Sequence, residues 1–485
     1  MENLTMLSAT QAAEAISSRQ ISSLDLVEAL LGQIERRNPA LNAIVTLDAE
    51  GARQRAKEAD AAIERGQVWG PLHGVPVTIK DSFETAGMRT VSGFPPFTNH
   101  IPQVDAPPVL RLRSSGAIIL GKTNLPTLAN GIQTNNPVFG RTNNPWDLAR
   151  TPGGSSGGAA AAISAGLSYL ELGSDISGSI RIPSHFCGIY GLKTTGGRVS
   201  GKGHLASPKP LSIPSGWEAL LQLASMGPLA RSIPDLRLCF PLIAEPGTPN
   251  PETQPIRPLS ELKIAWTDDF GGALLDQESR KLIQNLGSQL ENSGAQVQRC
   301  SEAGFDYEEA WFISGACLGA INTLFQPAWM QQLRKLVGPL LARSGQTAVQ
   351  RGLYKGVAMR SQAIHDLLKK RELLIEALER FLSDWDAWIC PVFPTPAFSH
   401  RKPNASIEVD GQPLSMLLAN LLHSVIFNVT GHPAVTLPIG TSSQGLPVGV
   451  QVIGRRWQEM ALLNTAEQIA TCTPGYQCPP GFGTK

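Results

Sequence analysis

Two clusters of glycine and serine residues are the first feature of this sequence that suggests chemistry. They read GGSSGG at 153–158 and SDISGS at 174–179. Glycines allow sharp turns and let backbone N–H groups face a ligand. A serine that ends such a turn can attack a carbonyl carbon while neighbouring N–H groups stabilise the oxyanion that forms. Taken alone, however, each cluster is better explained as a tight turn that has no catalytic role.

Lys80 is a candidate base for such a serine. Val75, Val77 and Ile79 alternate along an apolar stretch that Lys80 ends, and Asp81 follows, so a short strand is predicted here. A lysine acts as a base only when it is neutral, and at pH 7 this requires a fall in its pKa of about 3, or about 4 kcal/mol. Burial of the strand can supply that fall, whereas a solvated strand end leaves the lysine charged.

Histidine is the more usual base, and this chain has eight histidines. His185 lies close to the second cluster, within the segment RIPSHF, which is typical of a short helical turn. No pairing of this histidine with an aspartate is evident, so a structural role is the better interpretation.

A third motif matches a phosphate-binding loop in its letters alone. Gly116–Thr123 reads GAIILGKT, which fits the pattern G-x-x-x-x-G-K-[ST]. Such a loop needs an open turn followed by a helix. Here the intervening Ala-Ile-Ile-Leu is typical of a buried strand, and Pro126 comes too early for a helix interior. We therefore reject nucleotide binding.

A series of longer segments adds weight to the two clusters. In chain order the segments are GPLHGVPVTIKDSF, GKTNLP, NNPVFGRTNNPWD, TPGGSSGG, GSDISGSIRIPSHFCGIYGLK, MGPLARSIPDL, NVTGHPAVTLPIG and LPVGVQVIGRRWQE. With them the chain resembles the amidase signature family over roughly residues 7 to 472. Strands and helices mix throughout, so the class is α/β. The resemblance implies a central mixed β-sheet covered by helices on both faces.

The family resemblance implies a catalytic triad of Ser179, Ser155 and Lys80. Ser179 is then the nucleophile, and Ser155, which in the family follows a cis peptide bond, passes the nucleophile's proton to neutral Lys80. The implied reaction is acyl transfer to the serine, followed by hydrolysis of the acyl-enzyme. This mechanism needs no metal and no cofactor.

The resemblance also implies what surrounds the nucleophile. The N–H groups expected to form the oxyanion hole belong to Ile176, Ser177, Gly178 and Ser179. Asp175 and Arg181 are expected to support this turn, and Ala129 to place its carbonyl near the substrate. Two departures from the family concern substrate preference. Ser177 stands where glycine is usual, which restricts the turn if its φ is positive, and KTT at 193–195 replaces the usual KPT.

We expect one compact catalytic domain made of consecutive segments. These are an N-terminal helical segment (1–66), the signature core with the triad (67–242), a largely helical variable region that shapes the substrate pocket (243–390), a C-terminal return to the sheet (391–472) and a flexible tail (473–485). Residues 434–454 are typical of two strands joined by a turn at Ser442–Gly445.

The composition excludes several other classes of protein. The net charge of +1 does not favour binding to nucleic acid or to an anionic membrane. Seven cysteines without a CxxC pair favour reduced thiols over disulfides or zinc. We find no signal peptide and no apolar run of about 18 residues. We therefore expect a cytoplasmic enzyme that acts on a small amide and water, without a nucleic-acid or membrane partner, and a homodimer remains one alternative.

The leading hypothesis is an amidase that cleaves the C–N bond of a small apolar or aryl carboxamide. Aromatic residues within 305–355 motivate this preference, because in the family this variable region lines the substrate side. Core packing explains each of these aromatic residues equally well. The same acyl chemistry also serves carbamates, ureas and esters, so these substrates remain alternatives.

A second hypothesis is the glutaminase subunit of a tRNA-dependent amidotransferase, which works with another chain. That subunit holds the glutamine amine with an acidic residue about two helical turns before the Asn of an N-x-x-G-x-P motif. The motif matches at Asn428, which puts Leu421 at the acidic position and counts against this hypothesis. A third hypothesis, a non-catalytic binding protein, conflicts with the intact Lys80, Ser155 and Ser179.

Overall fold

The protein is built around one large mixed β-sheet. A computed structural model describes residues 4–205, 213–215, 217–247, 255–324, 345–359, 361–402 and 405–483. The strands within these ranges are β1 (Ile44–Leu47), β2 (Pro76–Lys80), β3 (Ile118–Thr123), β4 (Asn135–Asn136), β5 (Gly140–Arg141), β6 (Leu170–Asp175), β7 (Tyr190–Lys193), β8 (Ser225–Ala230), β9 (Lys263–Trp266), β10 (Gln296–Arg299), β11 (Ala387–Pro391), β12 (Ser406–Val409), β13 (Gln412–Ser415), β14 (Ala434–Thr441) and β15 (Pro447–Ile453).

Eleven of these strands form the central sheet, in the order β1-β3-β2-β6-β8-β7-β14-β15-β11-β9-β10. Two groups of three neighbours run parallel, β3-β2-β6 and β11-β9-β10, and the remaining pairs are antiparallel. The strands β4 with β5 and β12 with β13 form separate two-stranded ribbons. The predicted pair over 434–454 is confirmed, because β14 and β15 pair antiparallel on either side of the expected turn.

Helices cover both faces of the sheet. Those in the described residues are α1 (Ala9–Ser17), α2 (Ser23–Leu41), α3 (Ala49–Glu64), α4 (Pro107–Ser114), α5 (Gly157–Ser164), α6 (Arg181–Cys187), α7 (Glu218–Leu221), α8 (Ile233–Ile243), α9 (Gln277–Asn292), α10 (Tyr307–Leu324), α11 (Ala348–Gly356), α12 (Ser361–Leu382), α13 (Met416–Leu421), α14 (Val425–Val429) and α15 (Glu459–Ala470). Along β11, Ala387 and Ile389 pack into one hydrophobic cluster, while Trp388 and Cys390 pack into another. Successive strand residues point to opposite faces, so the expected α/β fold with two helical layers is confirmed.

The N-terminal segment contains a strand as well as helices. Ser8 and Gln11 form a capping box at the start of α1. Helix α2 ends at Leu41 and is capped by Asn42, whose φ of 52° is left-handed. The chain then enters β1, which pairs antiparallel with β3. The sequence predicts helices alone over this segment, because a four-residue strand between two long amphipathic helices leaves little periodic signal.

The strands that lead to the glycine–serine clusters are buried on both faces. Every residue of β2, β3 and β6 is buried, and this is typical of parallel strands covered by two layers of helices. Strand β2 starts at Pro76 and ends at Lys80, as the alternating pattern predicts for its end. A lysine is therefore carried into the interior by a strand whose other residues pack well there.

The chain after Cys472 packs against the body of the protein in its described part. The Tyr476 hydroxyl donates to the Ser164 carbonyl over 2.9 Å, and the Arg37 guanidinium stacks on the Phe482 ring. The sequence predicts a flexible tail here because Pro and Gly dominate the segment. The two aromatic side chains provide contacts that this composition does not reveal.

Two further observations concern the whole described part. None of its helices combines the length and the apolar character that crossing a bilayer requires. Two aromatic residues of the variable region that motivate an apolar substrate, Phe325 and Trp329, lie outside the described residues.

Close backbone packing at Gly158 generates a prediction about stability. A Cβ at Gly158 would lie 2.4 Å from Asn124 N and 2.8 Å from Ala43 O, so α5 approaches the end of β3 too closely for any side chain. Gly158→Ala is expected to destabilise the fold by about 1–3 kcal/mol, measured as a lower midpoint of thermal unfolding. Gly32→Ala is the control, because a Cβ there meets only the flexible Arg36 side chain and alanine favours the helix. Equal effects of both substitutions would contradict this account.

Candidate active site

The candidate site lies where two parallel strands end. Strands β2 and β6 are parallel neighbours, and they end at Lys80 and Asp175. The first glycine–serine cluster leads into α5, and the second leads into α6. The second cluster directly follows β6, and the hydrogen bond between Lys80 and Ser155 joins the first cluster to the end of β2, so both clusters lie at the edge where sites in such sheets usually occur.

The Lys80 amine lies within a group of serine oxygens. Lys80 Nζ is 2.7 Å from Ser155 Oγ, 2.9 Å from Ser156 Oγ and 2.9 Å from Ser174 Oγ. The side chain is fully buried. Burial lowers the pKa of Lys80 to about 7, although the negative charges of Asp175 and Glu171 act in the opposite direction. A substantial neutral fraction at neutral pH follows from this environment.

The two glycine–serine clusters contact each other directly. The Ser156 N–H donates to the Ser179 carbonyl over 3.1 Å. The Gly154–Ser155 peptide bond is cis, as the family resemblance implies. Ser155 is 1% exposed and Ser179 is 7% exposed. The sequence-predicted triad residues are therefore brought to one place, with Lys80 and Ser155 in hydrogen-bond contact.

The turn between β6 and α6 is built around the Asp175 carboxylate. This carboxylate accepts the N–H of Gly178 over 2.8 Å and that of Ile180 over 3.0 Å. Gly178 has a φ of 101°, which a side chain rarely adopts. Among the described residues, no acceptor contacts the N–H groups of Ile176, Ser177 or Ser179. Three of the four N–H groups predicted for the oxyanion hole are thus available, whereas that of Gly178 is engaged by Asp175.

Arg181 holds Asp175 from the start of α6. Its Nε and Nη2 atoms contact the two carboxylate oxygens at 3.1 and 2.9 Å, and both side chains are fully buried. Burial by itself would raise the pKa of Asp175, but the Arg181 charge and its hydrogen bonds hold that pKa well below its usual range. Arg181 Nη1 also donates to Gln451 Oε1 over 2.7 Å and to the Ser424 carbonyl over 3.0 Å. The turn is therefore anchored to the far half of the chain.

Ser177 fits the turn without backbone strain. Its φ lies outside the left-handed region, which Gly178 occupies instead. The Ser177 carbonyl accepts the Ser424 hydroxyl over 2.9 Å, and its Oγ accepts the Asn420 amide over 3.4 Å. The departure from the family glycine therefore adds the Oγ contact with Asn420 and does not restrict the turn.

Ala129 lies in the loop beside the first cluster. Leu128 and Ala129 have φ values of 51° and 56°, and the Leu128 N–H donates to the Ser92 carbonyl over 2.8 Å. Two residues further on, the Gly131 carbonyl packs so closely on Gly154 that a Cβ there would lie 2.5 Å from it. Ala129 is thereby placed near the loop that carries Ser155.

Three polar residues near Lys80, of which Glu171 and Ser174 are buried, were not singled out from the sequence. Glu171 accepts hydrogen bonds from the hydroxyls of Thr78 and Thr123, and burial raises its pKa to about 8. Ser174 contacts Lys80, and His204 Nε2 lies 2.9 Å from Ser174 Oγ. Glu171 interrupts an apolar run, so the sequence pattern could have singled it out as a buried charged residue. Nothing in the local pattern points to His204.

The two rejected candidates have structural roles. Lys122 of the phosphate-loop match is fully buried on β3 and donates to the Phe83 carbonyl over 2.7 Å, so the strand predicted in place of an open loop is confirmed. His185 lies between the carbonyls of Gly449 and Thr395 at 3.1 and 3.0 Å. Within the described ranges, no group of three His, Cys, Asp or Glu side chains is arranged to hold a metal ion.

Comparisons with known proteins agree with this geometry. The family model described as Amidase matches residues 25–463. A glutamyl-tRNA(Gln) amidotransferase subunit from Moorella thermoacetica is 33% identical, with 99% of each chain covered. The acylamidase of Rhodococcus erythropolis is 31% identical, over 98% of this chain and 97% of the relative. A solved structure of 6-aminohexanoate cyclic dimer hydrolase with its substrate has a TM-score of 0.78 and 27% identity, with 100% of both chains covered.

The family match spans most of the chain and includes every segment of the candidate site. The relatives carry different activities, so they identify the family and leave the substrate open. The order of motifs, the sheet and the lysine–serine contact all agree with that identification. The chain belongs to the amidase signature family, whose members hydrolyse carbon–nitrogen bonds.

Proposed function

We propose that this protein hydrolyses a small carboxamide through an acyl-serine intermediate, with Ser179 as nucleophile, Ser155 as proton relay and Lys80 as base. The observation that carries this proposal is the 2.7 Å contact between the buried Lys80 amine and Ser155 Oγ. A buried amine with a pKa of about 7 is matched to proton transfer at neutral pH. A solvated lysine would remain charged and would not accept a proton.

The roles are those that the family resemblance implies, and the contacts of Lys80 with Ser155 and of Ser156 with Ser179 support them. Ser179 loses its proton to Ser155 as it attacks the amide carbon, and Ser155 passes its own proton to neutral Lys80. The tetrahedral intermediate collapses when the relay returns a proton to the leaving nitrogen. Water then attacks the acyl-enzyme with the same base and releases the acid. All proton transfers use the groups at this one edge of the sheet.

The oxyanion is stabilised by the turn that precedes α6. The N–H groups of Ile176, Ser177 and Ser179 are without an acceptor among the described residues, and such preorganised donors are worth about 3–4 kcal/mol each in transition-state stabilisation. Gly178 supplies the left-handed bend that orients these donors. Ala129 presents a carbonyl on the other side of the substrate, a role that comes from the family resemblance.

An apolar or aryl acyl group is favoured by the side chains beside this turn. Ile176 packs against a hydrophobic cluster that includes Trp217, Trp311 and Leu421. The Trp311 indole donates to the Leu422 carbonyl over 3.0 Å, so the variable region reaches the segment that contacts Ser177. The name of the Rhodococcus erythropolis relative, acylamidase, supports cleavage of an acyl amide.

The amidotransferase subunit is the second candidate function. The 33% identity to the Moorella thermoacetica subunit over the whole chain favours it. Leu421 opposes it, because this residue is 3% exposed within the apolar cluster and stands where that subunit is expected to hold a glutamine amine with an acid. Burial of an ammonium group without a carboxylate is strongly unfavourable.

Substitution of the nucleophile tests the chemistry. Ser179→Ala is expected to lower kcat by about 10⁴-fold or more, because no other group forms the acyl-enzyme. A fluorophosphonate probe is expected to label wild type at Ser179, as detected by mass spectrometry. Ser164→Ala is the matched control, since the hydroxyl of this buried serine donates to the Cys187 carbonyl, and its labelling should equal that of wild type. Labelling of Ser179→Ala at the wild-type rate would refute the assignment.

The pH dependence tests the base. Since the pKa of Lys80 lies at about 7 and the neutral form is the active one, kcat/KM should rise as the pH increases through about 7 and then level off. Lys80→Ala should lose about 10²–10⁴-fold in activity at neutral pH and lose this rise. Lys193 is also buried with a pKa of about 7, so the rise should persist in Lys193→Met. A rise that disappears in that variant would assign the titration to Lys193.

A substrate panel tests the acyl preference. Hexanamide, benzamide and acetanilide should each be turned over with a kcat/KM at least about 100-fold above that for glutamine, because a buried apolar wall binds hydrocarbon and leaves an ammonium group unpaired. The panel includes matched esters, carbamates and ureas, and Ser179→Ala serves as the blank. Selective turnover of glutamine, or purification with a stoichiometric partner chain, would favour the amidotransferase subunit instead.

A further inference from the structure

His204 contacts the proposed base through one serine hydroxyl. His204 Nε2 lies 2.9 Å from Ser174 Oγ, and Ser174 Oγ lies 2.9 Å from Lys80 Nζ. The segment that carries the ring is fixed next to the end of β2. The Leu205 N–H donates to the Ser82 carbonyl over 2.7 Å, and the ring centroids of His204 and Phe83 are 4.8 Å apart.

The directions of the hydrogen bonds around Lys80 determine what its lone pair faces. A neutral amine has two N–H donors and one lone pair. The Ser156 hydroxyl donates to the Ser174 carbonyl over 3.3 Å, so its oxygen is free to accept one Lys80 N–H. The second N–H is accepted by Ser174 Oγ. The lone pair then faces Ser155 Oγ, because the remaining neighbour, the Ser174 carbonyl oxygen at 3.4 Å, has no proton to donate.

This arrangement requires an acceptor for the Ser174 proton. A hydroxyl that accepts from Lys80 must direct its own hydrogen elsewhere, and His204 Nε2 is placed to accept it. The ring must then be neutral, with its proton on Nδ1. Burial lowers the pKa of His204 to about 3, and the positive charge of Lys80 acts in the same direction. The ring therefore stays neutral over the pH range in which Lys80 titrates.

We propose that His204 is a positioning residue that accepts the Ser174 hydroxyl proton and thereby keeps the lone pair of Lys80 directed at Ser155. Without this acceptor, the Ser174 hydroxyl can turn its hydrogen towards Lys80 and compete with Ser155 for the lone pair. The inference rests on the proposed function, since it assigns His204 to the activation of the same base. It assigns no contact between His204 and the substrate.

A pair of amide substitutions tests the need for an acceptor at Nε2. The amide of Gln reaches about as far as Nε2 of histidine, whereas that of Asn reaches only as far as Nδ1. His204→Asn should lower kcat about tenfold with KM unchanged, and His204→Gln should retain most of the wild-type kcat. The rate of Ser179 labelling by a fluorophosphonate should follow kcat in both variants. His73→Asn is a control for a lost buried histidine, since His73 bonds to Ala59 and Trp69 and its loss should affect stability alone.

A double substitution tests whether His204 acts through Ser174. The combined His204→Asn and Ser174→Ala variant should have the kcat of Ser174→Ala alone, because the acceptor has no hydroxyl left to orient. Three outcomes would each overturn the inference. These are additive losses of kcat in the double variant, equal kcat values in the Asn and Gln variants, and an unchanged kcat in His204→Asn. These three outcomes leave the proposed function standing. Failure of the probe to label wild type at Ser179 would instead overturn the proposed function and this inference together.

Discussion

The buried ion pair of Asp175 and Arg181 is the interaction on which the geometry of the site depends. Removal of either partner leaves an uncompensated charge in the interior, at a cost of about 3–5 kcal/mol. Asp175 organises the turn before α6 through two backbone N–H groups. Arg181 extends the same network to Gln451, which lies 270 residues further along the chain. The position of the proposed nucleophile therefore depends on residues from distant parts of the sheet.

The same ion pair also makes a neutral lysine compatible with a buried aspartate nearby. Asp175 raises the pKa of Lys80 through its negative charge, and an unpaired carboxylate would oppose the loss of the Lys80 proton. Arg181 supplies the opposite charge in direct contact with that carboxylate. Asp175 can therefore stay ionised and hold the turn, while burial among serine hydroxyls lets Lys80 lose its proton. For this reason an ionised Asp175 and a neutral Lys80 can both lie buried at the same edge of the sheet.

The parts of the site that the sequence predicts are those carried by continuous motifs. The resemblance to the amidase signature family names Lys80, Ser155 and Ser179, and the structure brings their segments together. The engagement of Gly178 by Asp175 is not visible in the sequence, because it depends on the direction of one N–H group. His204 lies 30 residues from Ser174, and only the folded chain makes them neighbours. The short strand β1 was not predicted for a related reason, since its partner β3 is distant in sequence.

Substrate choice depends on fewer residues than family membership does. The identities to an acylamidase and to an amidotransferase component, 31% and 33%, are too similar to separate the two activities. A bound ammonium group loses its hydration and requires a carboxylate in return, whereas a hydrocarbon gains about 25 cal/mol per Å² of buried surface. Leu421, in the cluster that Ile176 joins, supplies hydrocarbon and no charge. One buried side chain near the turn thus weighs more in the choice of substrate than a small difference in overall identity.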